Sequence, residues 1–283
     1  NIYCTLRIVL QPFHLCYVGR SRMASRVEII LVPDLRSSAT NAVGLLHSRT
    51  GLEVLLLDFP ETLEDEVNRL AKYQITYGEL IRRIKQKRIL PEPLESWTYT
   101  AEPILKALPR LKLIRPELEI CCYTPGELPF SAMESATKVA RLAFRVRATG
   151  KVDTDEWREA IASSLTLSSE SLDLEVPRLA LRGRRRDAAC LAGLNAFRLE
   201  RRIAEYWDLA TVRSADPFYY RTPLEILLSL SSRREVSDEE LSMLALAHVE
   251  YVYRYVLRSR DRDEAHNRWI EEKIFRAKKH HTL

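Results

Sequence analysis

Residues 27–61 read VEIILVPDLRSSATNAVGLLHSRTGLEVLLLDFPE, and the fold turns on how this stretch is parsed. Val27–Val32 is a compact run rich in β-branched residues that stops at Pro33–Asp34, the pattern of a strand buried on both faces. Ser37–Ser38 then predict a helix cap, and Ala39, Val43 and Leu46 recur at helical spacing through about Ser48. Val54–Leu57 is a second buried strand, closed by Asp58–Phe59–Pro60. Strand, helix, strand in this order predicts parallel pairing, because parallel strands need a crossover between them.

The rest of the chain continues the alternation. Thr62 with Asp65, and Thr76 with Glu79, resemble capping boxes and open helices near 63–72 and 77–87. Pro91–Glu92–Pro93 separates these from a helix near 100–108, and Leu118–Tyr123 is a third strand. A long helix over about 131–148 stops at Gly150, and Asp153 with Glu156 opens the next, near 154–165. Leu172–Leu181 reads as a further helix broken at Pro177, followed by strands at Ala188–Ala192 and Leu209–Val212. Thr222-Pro223-Leu224-Glu225 and Ser237 with Glu240 start two more helices, the second running to about Arg258. A last helix covers roughly 262–279. The pattern predicts an α/β fold with a mostly parallel central sheet flanked by helices and a helical C-terminal region.

Three segments are expected. Residues 1–22 begin without Met and differ in character from the remainder of the chain; they read as an extension with no folded role, a short edge strand at 6–10 being the alternative. Residues 23–221 form the α/β core and 222–283 the helical region.

Composition narrows the function classes. Over 283 residues, 46% are hydrophobic and 29% charged, so a disordered chain is excluded. No run approaches the roughly 18 apolar residues of a membrane span. The net charge of +5 is too small to imply nucleic acid by itself. Five cysteines, with no CxxC pair, predict neither a disulfide framework nor a structural zinc site and fit a reducing, cytoplasmic setting. Thirty-four Arg against ten Lys and three Gln is compatible with a heat-adapted source, and GC-rich coding gives the same bias. GxSxG, HExxH, GxGxxG and GxxxxGK are all absent.

In a parallel sheet, ligands gather at the carboxyl ends of the strands. Those ends carry Asp34, Asp58 with Glu61, Tyr123–Thr124, Asn195 and Asp216. Asp34 and Asp58 as neighbours would hold a divalent metal or share acid–base work. The alternative is that Asp34 caps a turn and Asp58 merely starts a loop. The histidines are scattered; His248, among Leu, Ala and Val, reads as a core or helix–helix residue. The run Arg182-Gly183-Arg184-Arg185-Arg186 precedes a strand, which places it at the opposite sheet edge, and it lacks aromatics for base stacking.

Val27–Glu61 resembles the opening of the TraB/ChaN/erythromycin-esterase-like superfamily, with its polar turn, Ser/Ala helix and LLLDFPE. Ala188–Leu199, AACLAGLNAFRL, is similar to that family's later strand, and YYRTPLEIL to the segment after it. The resemblance implies a site at the strand ends, but its departures fall on the chemistry. Pro33–Ser38 stands where the family has its first His, Asp58 where it has an acidic residue, and Asn195 where it has the second His. A neutral amide neither takes a proton nor binds a transition metal as imidazole does. The implied function is a catalytically degenerate relative that binds a small molecule or protein partner through the strand-end cleft. Arg36, Ser37, Ser38, Tyr123 and Asn195 would be its ligand contacts. Two alternatives remain. One is a hydrolase with a divalent metal on Asp34 and Asp58 and Glu61 or Glu127 as base. The other is a nucleic-acid or assembly module using Arg182–Arg186 and the basic C-terminal helices.

Overall fold

The computed structural model describes residues 25–194 and 198–275, so the expectations for residues 1–22 and for Asn195 lie outside the described residues. Five strands form one sheet: β1 (Arg26–Leu31), β2 (Val54–Pro60), β3 (Glu119–Thr124), β4 (Ala188–Ala192) and β5 (Leu209–Ser214). Their order is β3-β2-β4-β1-β5, and every pairing is parallel. The α/β fold and its parallel sheet are therefore as the apolar runs predict. The order has one decisive consequence: β1 and β2, consecutive in the chain, are separated in space by β4.

Alternate residues of each strand feed two cores. On one face Ile30, Leu55, Leu57, Ile120 and Cys122 pack against four helices: α1 (Arg36–Ser48), α2 (Glu64–Ala71), α3 (Tyr77–Lys87) and α4 (Glu95–Ile114). On the other, Val54, Leu56, Cys121 and Tyr123 meet Leu172, Val176 and Leu179 of α6 (Thr154–Gly183). The short helix α7 (Leu199–Ile203), which the sequence reading does not anticipate, closes this face.

A third cluster lies apart from the sheet. Val139 and Leu142 of α5 (Leu128–Thr149) and Trp157 and Ile161 of α6 join Leu227 of α8 (Pro223–Ser231) and Leu241 of α9 (Asp238–Glu250). The helical lobe thus draws on the insertion between β3 and β4 as well as on the chain after 222. Tyr251–Tyr255 continues α9 as a π-helical turn, and α10 (Arg262–Trp269) ends in another at Ile270–Phe275.

Several helices differ from expectation. Pro177 does not break α6, which is one 30-residue helix. Proline removes a single backbone donor, and the buried stripe Leu172–Val176–Leu179 continues through it on the sheet. Helix α4 likewise runs through Pro103 and Pro109, well beyond the expected 100–108. Nor do Ser37–Ser38 cap α1. Its N-cap is Leu35, and the Arg36 and Ser37 N–H groups donate instead to Asp263 of α10, both at 2.9 Å.

At the foot of α6, Gly183 lets the helix meet the sheet. A Cβ there would lie 2.6 Å from Trp207 Cζ2 and 3.3 Å from Leu56 Cδ1. Trp207 is buried, and its indole N–H donates to the Arg186 carbonyl at 3.2 Å, so it has little freedom to withdraw. Gly183→Ala should therefore cost about 1–3 kcal/mol by overpacking. Gly44→Ala, in α1 with no atom within 4 Å of the new methyl, should gain about 0.5–1 kcal/mol. Urea unfolding of both variants reads the opposite signs; a stabilised Gly183→Ala would refute the close approach.

Candidate functional site

The carboxyl ends of β2, β3 and β4 open into a cavity of about 850 Å³ between the sheet and the helical lobe. Its floor is shaped by a β-bulge. Leu57 pairs with Cys122 but Pro60 with Thr124, so β2 carries one residue more than β3 across this step. Bulges re-aim side chains next to sites. Here Asp58 faces the cavity, on the α6 side of the sheet with Tyr123.

Asp58 accepts a hydrogen bond from Thr124 Oγ1 at 2.6 Å, and the Gly193 N–H also donates to it. Tyr123, fully buried, donates its phenol to the Leu191 carbonyl at 2.9 Å. From α6 comes Glu175, on the same helix face as Leu172, Val176 and Leu179, and Ser171 Oγ donates to it at 2.7 Å. Desolvation on the cavity floor raises the Asp58 carboxyl above the ordinary carboxylate range, against the pull of Thr124 and Gly193. Burial, reinforced by the negative charge of Asp58, pushes Glu175 up to about 8. Glu175 therefore keeps its proton at neutral pH, beside the charge of Asp58.

The walls above this floor are unequal. Ala132, Ala136 and Ala140 of α5 give a methyl surface at i, i+4 and i+8. Ser164, Ser168 and Ser171 of α6 give hydroxyls at i, i+4 and i+7, Ser164 being 2.6 Å from Ser135 Oγ. Leu224, Leu228, Val252 and His248 complete the lining from the C-terminal helices. His248 meets Trp157 edge-on at 6.2 Å, its Nδ1 has no partner, and burial lowers its pKa to about 4. It is at once a helix–helix residue, as its apolar neighbours suggest, and part of the cavity wall.

Of the residues singled out from sequence, Asp58, Tyr123 and Thr124 meet here. Asp34 does not: β4 stands between its strand and that of Asp58, a gap of two strand spacings, roughly 9–10 Å. Asp34 is instead ion-paired to Arg262 of α10. Arg36 pairs with Glu102 at 2.7 Å, Ser37 holds Asp263 through its backbone, and Ser38 Oγ is 3.5 Å from Asp216. Glu61 is exposed and bonded to Arg178 at 2.9 Å. Glu127 is also exposed and precedes α5. Among the described residues no three His, Cys, Asp or Glu side chains are placed to hold a metal ion, so the donors present do not fit one. In the arginine run, Arg182 and Arg186 are engaged by Glu64 and Glu119 at 3.1 and 2.5 Å.

One residue of the site escapes the sequence reading. Glu175 had a signal, a lone carboxylate inside the apolar stripe Leu172–Val176–Leu179, which a buried helix face tolerates only with a partner. No family model matches the chain, and neither a curated protein nor a solved structure is found similar to it. No helix among the described residues is long and apolar enough to cross a membrane.

Proposed function

We propose that the chain binds a largely apolar small molecule in the strand-end cavity, with the Asp58–Glu175 pair as its polar anchor. One observation carries this reading: a concavity of about 850 Å³ at the carboxyl edge of a parallel sheet, mostly apolar and ending on the Asp58 carboxyl and the buried Glu175. Ligand sites in α/β folds have this place and this make-up. A relationship to the TraB/ChaN-like superfamily belongs to the same proposal. The missing histidines then make the chain a binding relative, with the Asp58–Glu175 pair in place of a metal or imidazole centre.

The test is titration with N-phenyl-1-naphthylamine, a neutral apolar fluorophore. Saturable one-site binding is expected, and Ala140→Trp, which projects an indole from α5 into the cavity, should weaken it at least ten-fold. Unchanged binding by that variant would remove the reading.

The pair also supports a second reading, metal-independent acid–base hydrolysis. A carboxyl still protonated near neutral pH beside an ionisable partner is the arrangement general acid catalysis uses. Turnover in a hydrolase screen that is lost in both Asp58→Asn and Glu175→Gln would put this reading ahead.

A further inference from the structure

We infer that the recess beside the cavity, between α6 and α8, is an anion subsite, and that the ligand is an amphipathic anion. Its apolar body would lie in the cavity and its phosphate, sulfate or carboxylate group on Arg221. The inference deepens the binding function proposed above and rests on it.

The recess has a volume of about 330 Å³ and is lined by Arg221, Arg198 and the hydroxyl residues Ser168, Ser169, Ser229 and Ser231, with no Asp or Glu in its lining. Arg221 is half-buried and has no hydrogen-bond or ion-pair partner among the described residues. This contrasts with Arg49, which is held by Glu28 and Asp187, and with Arg262, held by Asp34. A guanidinium drawn from bulk water without a counter-charge is unfavourable, and an arriving anion supplies that charge. Among the described residues two acceptors beside it are already engaged. The Ser232 carbonyl at the end of α8 is taken by Arg198 at 2.6 Å, and the Ser229 carbonyl by Ser232 Oγ at 2.9 Å. The donors of Arg221 are left for a ligand, and a guanidinium fork suits two oxygens of one oxyanion.

Continuity with the cavity sets the rest of the ligand. Ser164, Ser168, Leu172 and Leu228 line both volumes, so a molecule seated on Arg221 extends directly against the apolar wall. Ser169 precedes Glu175 by six residues and Ser164 by eleven, about 9 and 16 Å along the helix axis. The Ser164–Ser169 end of the recess is thereby set apart from the carboxyl pair, which meets the ligand's far end.

The experiment is calorimetry on the full chain at pH 7.5 with three probes, dodecyl phosphate, dodecanol and inorganic phosphate, below micelle formation. Dodecyl phosphate should bind about ten- to a hundred-fold tighter than dodecanol, the range of charge-assisted hydrogen bonds. Arg221→Ala should erase that preference and leave dodecanol unchanged, while Arg221→Lys should retain part of it. Raising salt should weaken the phosphate ester alone. Equal affinities in the wild type overturn the subsite, a comparison that stands even if Arg221→Ala fails to fold. If equal affinities are both lost in Ala140→Trp, the cavity reading survives without the subsite. Ester binding that needs Arg221 but ignores Ala140→Trp keeps the subsite and removes the cavity reading. If no probe binds, both fall.

Discussion

Glu175→Gln is expected to stabilise the protein at pH 9 and to leave it almost unchanged at pH 5. In the unfolded chain this carboxyl titrates near 4.5, while in the fold burial and the neighbouring Asp58 hold it at about 8. At low pH both states keep the proton and the group is neutral to stability. As pH rises through the window between the two values, the unfolded state releases a proton that the folded state retains. Wild-type stability therefore falls across that window, by on the order of 4 kcal/mol once pH passes 8. Glutamine has the same length, keeps an acceptor for Ser171 Oγ, and brings no charge. The gain should grow from near zero at pH 5 to a few kcal/mol at pH 9, read from urea midpoints at each pH.

Asp58→Asn should act in the same direction, because either change leaves a lone acid without a like-charged neighbour. The double variant should gain less than the sum, the mark of two groups coupled through one interaction. Two histidines act on the acid side. Burial lowers His248 and His266 to about 4, so each destabilises the fold as pH drops below 6.5. They are common to wild type and variant and cancel in the difference. A gain of equal size at pH 5 and pH 9 would show a packing effect and remove the account of Glu175 as an acid held protonated by its surroundings.

How much of this was legible in the chain depends on whether a feature is local. Val54–Leu57 and Ala188–Ala192 are buried on both faces and read as unbroken apolar runs, and Val27–Leu31 is interrupted only by Glu28, so the strands are plain in the sequence. Asp58 is plain for the same reason, as the first charge after such a run. The order of the strands is not local. Nothing in AACLA states that it enters between β1 and β2, and that entry is what parts Asp34 from Asp58. Capping of α1 by Asp263 is equally invisible, since the acceptor lies 226 and 227 residues from the donors. The division of α6 had a different cause. Ser164, Ser168 and Ser171 look like a solvated stretch but face a cavity, and with Pro177 they hide a continuous helix that carries Glu175 to the site.

That continuity gives Trp157→Ala the other large effect. Trp157 is fully buried in the helical lobe, and its indole N–H has no partner, so its contribution is packing alone. Truncation should cost about 3–5 kcal/mol. Trp157→Phe, which keeps most of the ring volume and forfeits no hydrogen bond, should cost much less. The void would open beside Ile161 and His248, both of which line the ligand cavity. Water admitted there relieves the burial that holds His248 near 4, so its titration, followed by NMR, should move toward 6.5. Calorimetric binding of dodecanol should weaken in parallel. Because α6 packs in the lobe through Trp157 and Ile161 and on the sheet through Val176 and Leu179, the loss should appear as one cooperative transition at lower urea. Two separated transitions would mean that the lobe folds by itself and that α6 does not couple it to the sheet. An unshifted His248 with the full loss of stability would mean that the void collapses, leaving the cavity wall intact.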